Sequence, residues 1–132
     1  MKKHALGIDI GGSGIKGAIV DLKKGEFVTD RIRIPTPQPA KPQAVAGVVK
    51  QIVDQFADQL GDGPIGITVP AIVSHGVTRS AANIDPSWVD APAEKIFEDV
   101  LGRDILLAND ADAAGVAEVR YGAAKKHPGL VI

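Results

Sequence analysis

Cysteine is absent from the chain, so disulfides and thiolate metal sites are excluded and nothing calls for an oxidising compartment. No apolar run approaches the roughly eighteen residues that a membrane-spanning helix needs, so no membrane partner is expected. Lys2-Lys3 and the apolar residues after them imitate the start of a signal peptide. Asp9 interrupts that stretch too early for a hydrophobic core segment, and the expected location is the cytoplasm. An excess of either charge is also missing: fifteen Lys and Arg stand against sixteen Asp and Glu. That balance provides no global basic field for nucleic acid, and none is expected as a partner. What remains is the composition of a soluble globular domain, 45% hydrophobic over 132 residues, enough for one domain with a real core.

Hydrophobic periodicity divides the chain. Residues 5–10 alternate as a strand, with Leu6, Ile8 and Ile10 on one face and Gly7 and Asp9 on the other. A second strand is predicted over 15–22 and a third over 26–34, with Lys23-Lys24-Gly25-Glu26 as the turn between them. Three strands on short connections predict an antiparallel meander. Four prolines between Pro35 and Pro42 mark a loop, and apolar residues recur at helical spacing from Val45 to Leu60. A buried strand follows at 65–69. Residues 72–78 predict a hairpin about Ser74-His75-Gly76, 93–101 a helix, 105–108 a strand and 111–121 a helix. Leu130-Val131-Ile132 reads as the start of another strand. The order β-β-β-α-β-α-β-α predicts an α/β fold with helices packed on a mixed sheet.

Two constellations carry chemistry. Asp9-Ile10-Gly11-Gly12-Ser13 lies where the first strand runs out. Glycines there let backbone N–H groups cradle a phosphate, and the Ser hydroxyl adds a donor. A carboxylate within an apolar strand is costly unless paired, and a hydrated Mg2+ bridging to phosphate oxygens would pair it. The same residues also suit a Gly-rich hairpin with a structural Asp. Gly12-Ser13-Gly14-Ile15-Lys16-Gly17 matches the dinucleotide fingerprint, but that motif must open a helix and here a β-branched strand follows. No Gly-Lys-Ser/Thr follows either, which excludes a Walker loop.

The second constellation is Asn109-Asp110-Ala111-Asp112, just after the strand at 105–108. Asn and Asp are preferred helix caps, but a cap needs one such residue and three are present in four positions. At the carboxyl end of a strand the surplus points to a ligand crevice, with Asp110 suited to a general base. Between the two sites, Asn83 offers both a donor and an acceptor for sugar hydroxyls; equally, Asn83 and Asp85-Pro86 suit a simple turn. Trp88, the single tryptophan, is read first as a core anchor for the helix after it, with a sugar contact as the alternative. His4, His75 and His127 are scattered and receive no role.

These segments resemble the ROK family of sugar kinases and repressors, within the actin-like and hexokinase-like ATPases. The residues that carry the likeness are Gly7-Ile8-Asp9-Ile10-Gly11-Gly12-Ser13, Ile67-Thr68-Val69-Pro70, Ser80-Ala81-Ala82-Asn83 and Leu107-Ala108-Asn109-Asp110-Ala111-Asp112, in family order. Residues 12–18, 83–88 and 109–115 look most like the family's polyphosphate glucokinases, which take phosphate from polyphosphate and often also from ATP.

The resemblance implies a ribonuclease-H-like lobe and a glucokinase that phosphorylates the 6-hydroxyl of glucose. It implies Asp110 as the base, Asn83 and Asn109 as sugar contacts, and Asp9, Gly11, Gly12 and Ser13 around phosphate and Mg2+. Lys16 would meet the extra charge of polyphosphate, or serve only as a solvated strand lysine. The family pattern further implies a second phosphate loop and a second lobe beyond this chain, a homodimeric parent, and little activity for residues 1–132 alone. Ser13 stands where many members have Thr, and Pro70-Ala71 where many have Pro-Gly. The alternative reading is a non-catalytic sugar-binding module or a regulator lobe. The early phosphate turn leaves no room for a preceding helix-turn-helix, and the presence of Asp110 favours catalysis.

Overall fold

A computed structural model describes residues 4–71, 73–80 and 84–109. Its first strand, β1 (His4–Ile10), buries Leu6, Ile8 and Ile10 and leaves Gly7 and Asp9 exposed, as the alternation predicts. The chain turns at 11–13 into β2 (Gly14–Asp21), which pairs antiparallel with β1 from His4 opposite Asp21 to Ile10 opposite Ile15. A strand, not a helix, therefore follows the glycines, and the fingerprint match is coincidental. At the far end of β2, the Asp21 carboxylate accepts the backbone N–H groups of Lys24 and Lys23, which lower its pKa in that order of importance.

Where one strand is expected over 26–34, two short ones form: β3 (Glu26–Phe27) and β4 (Ile32–Pro35), both antiparallel to β2. Thr29 accounts for the break. Its hydroxyl accepts the Ile19 amide at 3.1 Å, occupying a donor that a continuous ladder would give to a backbone carbonyl. The apolar run predicted as one helix forms α1 (Pro42–Gln55) and a last turn, α2 (Ala57–Leu60), separated at Phe56.

Next come β5 (Ile65–Val69), parallel to β1, and the predicted hairpin of β6 (Val73–Ser74) and β7 (Val77–Thr78). Its two-residue loop, His75-Gly76, has φ of 52° and 79°, the left-handed pair that suits the right-handed twist of a hairpin. A 3-10 turn at Pro86–Trp88, α3 (Ala93–Leu101) and β8 (Leu106–Asn109), parallel to β5, complete the described chain. Asp85 caps the 3-10 turn, accepting the Ser87 hydroxyl and the Ser87 amide, and both bonds hold its carboxyl below the ordinary aspartate value.

The main sheet runs β3-β2-β1-β5-β8, with β4 also beside β2, antiparallel on one side and parallel on the other. This is the expected α/β architecture with a mixed sheet. Val45, Val49 and Ile52 of α1 and Phe97 of α3 share one core with Leu6, Ile8, Ile15, Ile65 and Ile67, so both helices cover the same face. Among the described residues no helix is long and apolar enough to cross a membrane. Asn83, Asp110, the helix predicted at 111–121 and the strand predicted from Leu130 lie outside the described residues.

Trp88 is the core anchor that its composition suggests. It is fully buried, its ring centroid lies 6.1 Å from that of Phe97, and its Nε1 donates to the Ala40 carbonyl at 2.6 Å. Trp88→Phe keeps most of the apolar bulk but leaves that carbonyl without its donor, a loss expected to cost about 1–3 kcal/mol. The urea midpoint of the variant checks this; an unshifted midpoint would show that the indole N–H is dispensable.

Candidate active site

Three parallel strands bring their carboxyl ends to one edge of the sheet. Asp9 of β1 lies opposite Thr68 of β5, Thr68 lies opposite Ala108 of β8, and one step further Val69 lies opposite Asn109. On the other side Asp9 pairs with Lys16 of β2, and Lys16 with Arg33 of β4. Directly opposed residues share a face. The row Arg33, Lys16, Asp9, Thr68, Ala108 therefore crosses the sheet on the face turned away from α1 and α3, and none of its members is buried. Crevices at the carboxyl ends of strands are where open α/β sheets bind ligands.

Asp9 Oδ1 accepts the Thr68 hydroxyl at 2.8 Å. A carboxylate has capacity for several further donors or a cation, and among the described residues no ion pair claims it. Beside it the glycine turn is closed by the Gly11 amide donating to the Gly14 carbonyl at 2.9 Å. The outer carbonyls of the turn are all engaged. Gly11 O accepts the Thr36 hydroxyl at 2.7 Å, and Gly12 O accepts Gln38 Nε2 at 3.1 Å. Ser13 O accepts both the Arg33 guanidinium at 2.9 Å and the Thr36 amide at 3.2 Å. The Gly12 and Ser13 amides, by contrast, have no acceptor among the described residues. A turn with its carbonyls tied back and its amides unspent can receive an anion.

The structure thus brings Asp9, Gly11, Gly12, Ser13 and Lys16 together. Asn109 ends β8 at the same edge, and its Nδ2 donates to the Ala71 carbonyl at 2.9 Å, which fixes the side chain at the crevice. Asn83 and Asp110 are outside the described residues; Asp110 directly follows Asn109 in the chain.

Among the described residues no group of three or more His, Asp or Glu could hold a metal by itself. Magnesium does not require one. It is commonly held by one or two carboxylates, with water and substrate phosphates completing its shell, and Asp9 beside the turn fits that pattern. Four residues near the site receive no role from the sequence: Thr68, Arg33, Thr36 and Gln38. Thr68 carried a signal, a hydroxyl within the apolar strand Ile65–Val69 on the side opposite Ile65 and Ile67.

Comparison with known proteins identifies the family and the fold. Residues 5–132 match the ROK family. A polyphosphate glucokinase of Mycobacterium tuberculosis is 51% identical over 132 residues, covering 99% of this chain and 49% of the relative. The crystal structure of an inorganic polyphosphate/ATP-glucomannokinase from Arthrobacter sp. strain KM superposes with a TM-score of 0.84 at 49% identity, over 91% of this chain and 49% of that one. A ROK family glucokinase from Streptomyces griseus, solved with glucose and AMPPNP, gives a TM-score of 0.78 at 26% identity over 92% and 38% of the two chains. The chain spans about half the length of the curated relatives it matches. Its α/β lobe has the actin- and hexokinase-like fold of these sugar kinases. The chain belongs to the ROK family.

Proposed function

We propose that this chain is the amino-terminal lobe of a glucokinase that transfers a phosphoryl group from polyphosphate or ATP to the 6-hydroxyl of glucose. The observation that carries this reading is the juxtaposition at the carboxyl edge of β1: among the described residues, a carboxylate bonded only by Thr68 lies next to two backbone amides without an acceptor. The likeness to a polyphosphate glucokinase and a polyphosphate/ATP-glucomannokinase supports the choice of donor and acceptor.

In this reading the Gly12 and Ser13 amides and the Ser13 hydroxyl hold donor phosphate oxygens, and Lys16, one strand over from Asp9, adds positive charge. Asn83 and Asn109 position the sugar. Asp110 accepts the proton of the 6-hydroxyl as its oxygen bonds to the terminal phosphorus, and the bridging P–O bond to the rest of the donor breaks. Asp9 would hold magnesium, which when bound neutralises charge on the donor phosphates. The full-length enzyme is read as a soluble cytoplasmic homodimer.

A coupled glucose-6-phosphate assay of the full-length protein, run separately with polyphosphate and with ATP, tests the proposal. Turnover with at least one donor is expected, and no turnover with either would overturn it. Residues 1–132 alone are expected to show little activity, because phosphoryl transfer needs a closed cleft to align donor and acceptor.

A further inference from the structure

The phosphate turn is closed by its own Gly11–Gly14 bond, but it is also tied from outside by residues 33–38, twenty or more positions downstream. From the end of β4 to the start of α1 the chain runs back past the turn, and three consecutive turn carbonyls receive donors from it. Thr36 Oγ1 reaches Gly11 O, Gln38 Nε2 reaches Gly12 O, and Arg33 with the Thr36 amide reaches Ser13 O.

A trans peptide is planar, so the carbonyl of one residue and the N–H of the next point in opposite directions. Pinning Gly11 O therefore aims the Gly12 amide, and pinning Gly12 O aims the Ser13 amide. Those are the two amides that lack an acceptor among the described residues. Each side-chain bond thus fixes one peptide plane with its N–H turned away from the loop.

The strap is itself anchored. Thr36 is buried, and Trp88 Nε1 holds the Ala40 carbonyl at the other end. Gly14 belongs to the same device, since a Cβ there would lie 2.4 Å from Arg33 Nε, where the guanidinium crosses the turn.

We infer that Thr36 and Gln38 are positioning residues for the phosphoryl donor: they orient the Gly12 and Ser13 amides without touching the donor themselves. The inference deepens the kinase reading and rests on it. A turn whose two glycines are free to rotate would lose aim in both amides unless something outside it fixed their planes.

The test is donor and glucose kinetics of the full-length protein carrying Gln38→Ala, Thr36→Val or Thr36→Ser. Gln38 is exposed, so its variant is expected to fold even if the buried Thr36→Val does not. Loss of either bond is expected to raise the donor KM about three- to tenfold, the usual worth of a hydrogen bond, with the glucose KM unchanged within about twofold. Thr36→Ser keeps the hydroxyl and is expected to restore the donor KM. Arg33 is left out of the set because its charge would also attract the donor directly. An unchanged donor KM in Gln38→Ala, a parallel rise of both KM values, or failure of Thr36→Ser to rescue an affected Thr36→Val would overturn the inference. An inactive wild type would overturn the kinase reading and this inference with it; an active wild type with indifferent variants overturns this inference alone.

Discussion

Asp110→Asn in the full-length protein is expected to slow glucose phosphorylation about a hundred- to ten-thousandfold, the range that a positioned general base contributes. The substitution is nearly isosteric and keeps a hydrogen-bond acceptor in Oδ1, but it removes the negative charge and with it the ability to take up a proton. Glucose affinity is therefore expected to stay within a few-fold of wild type, because the sugar hydroxyl still finds a polar partner. Its place in the chain is what singles this carboxylate out: Asp110 comes directly after Asn109 in the sequence, and Asn109 ends β8 at the edge where β1 and β5 also end. A residue that served only as a helix cap would give a different pattern, since Asn caps helices about as well as Asp and turnover would survive. Single-turnover measurements with glucose saturating separate the two roles. A variant that binds glucose and transfers phosphate at the wild-type rate would remove Asp110 from the mechanism.

Much of this fold was legible because periodicity is local. Leu6, Ile8 and Ile10 alternate within seven residues, and the burial of β1 follows directly. The glycine turn was legible for the same reason, as was the exclusion of a dinucleotide fold from the strand after Gly14. The strand split at Thr29 was not, because it depends on a hydroxyl meeting an amide ten residues away that an unbroken ladder could also have satisfied. The site's supports were hidden more deeply. Thr68 meets Asp9 across 59 residues, Gln38 meets Gly12 across 26, and Trp88 meets Ala40 across 48. Such pairs exist only once the sheet register and helix packing are set. Gln38 gave no local hint at all, since a Gln in a proline-rich loop reads as solvated. At Asn83 and Asp110 residue chemistry left a turn or a cap open beside a ligand role, and the family resemblance favoured the ligand role.

The second large effect is expected at Asp9, where charge and shape can be separated. Asp9→Asn can keep the Thr68 hydroxyl on its Oδ1, so the fold at this point of β1 is retained and the melting temperature is expected to stay close to wild type. What changes is a negative charge beside the turn proposed to receive phosphate. Two opposite consequences follow. With magnesium present, the carboxylate has a cation to share with the donor, and its loss is expected to lower kcat about a hundred- to thousandfold and to raise the magnesium concentration needed for half-maximal rate. With magnesium removed by chelation, the same carboxylate only repels the donor, so Asp9→Asn is expected to bind polyphosphate or ATP as tightly as wild type or more tightly. Lys16 sharpens the second effect, because it lies directly opposite Asp9 and is no longer offset by it. Donor binding measured by calorimetry, with and without magnesium, distinguishes the cases. A reversal of sign between the two conditions identifies Asp9 as the metal-side carboxylate. A variant indifferent to magnesium in both binding and rate would reduce Asp9 to a structural partner of Thr68, and the phosphate turn would then act through its amides alone.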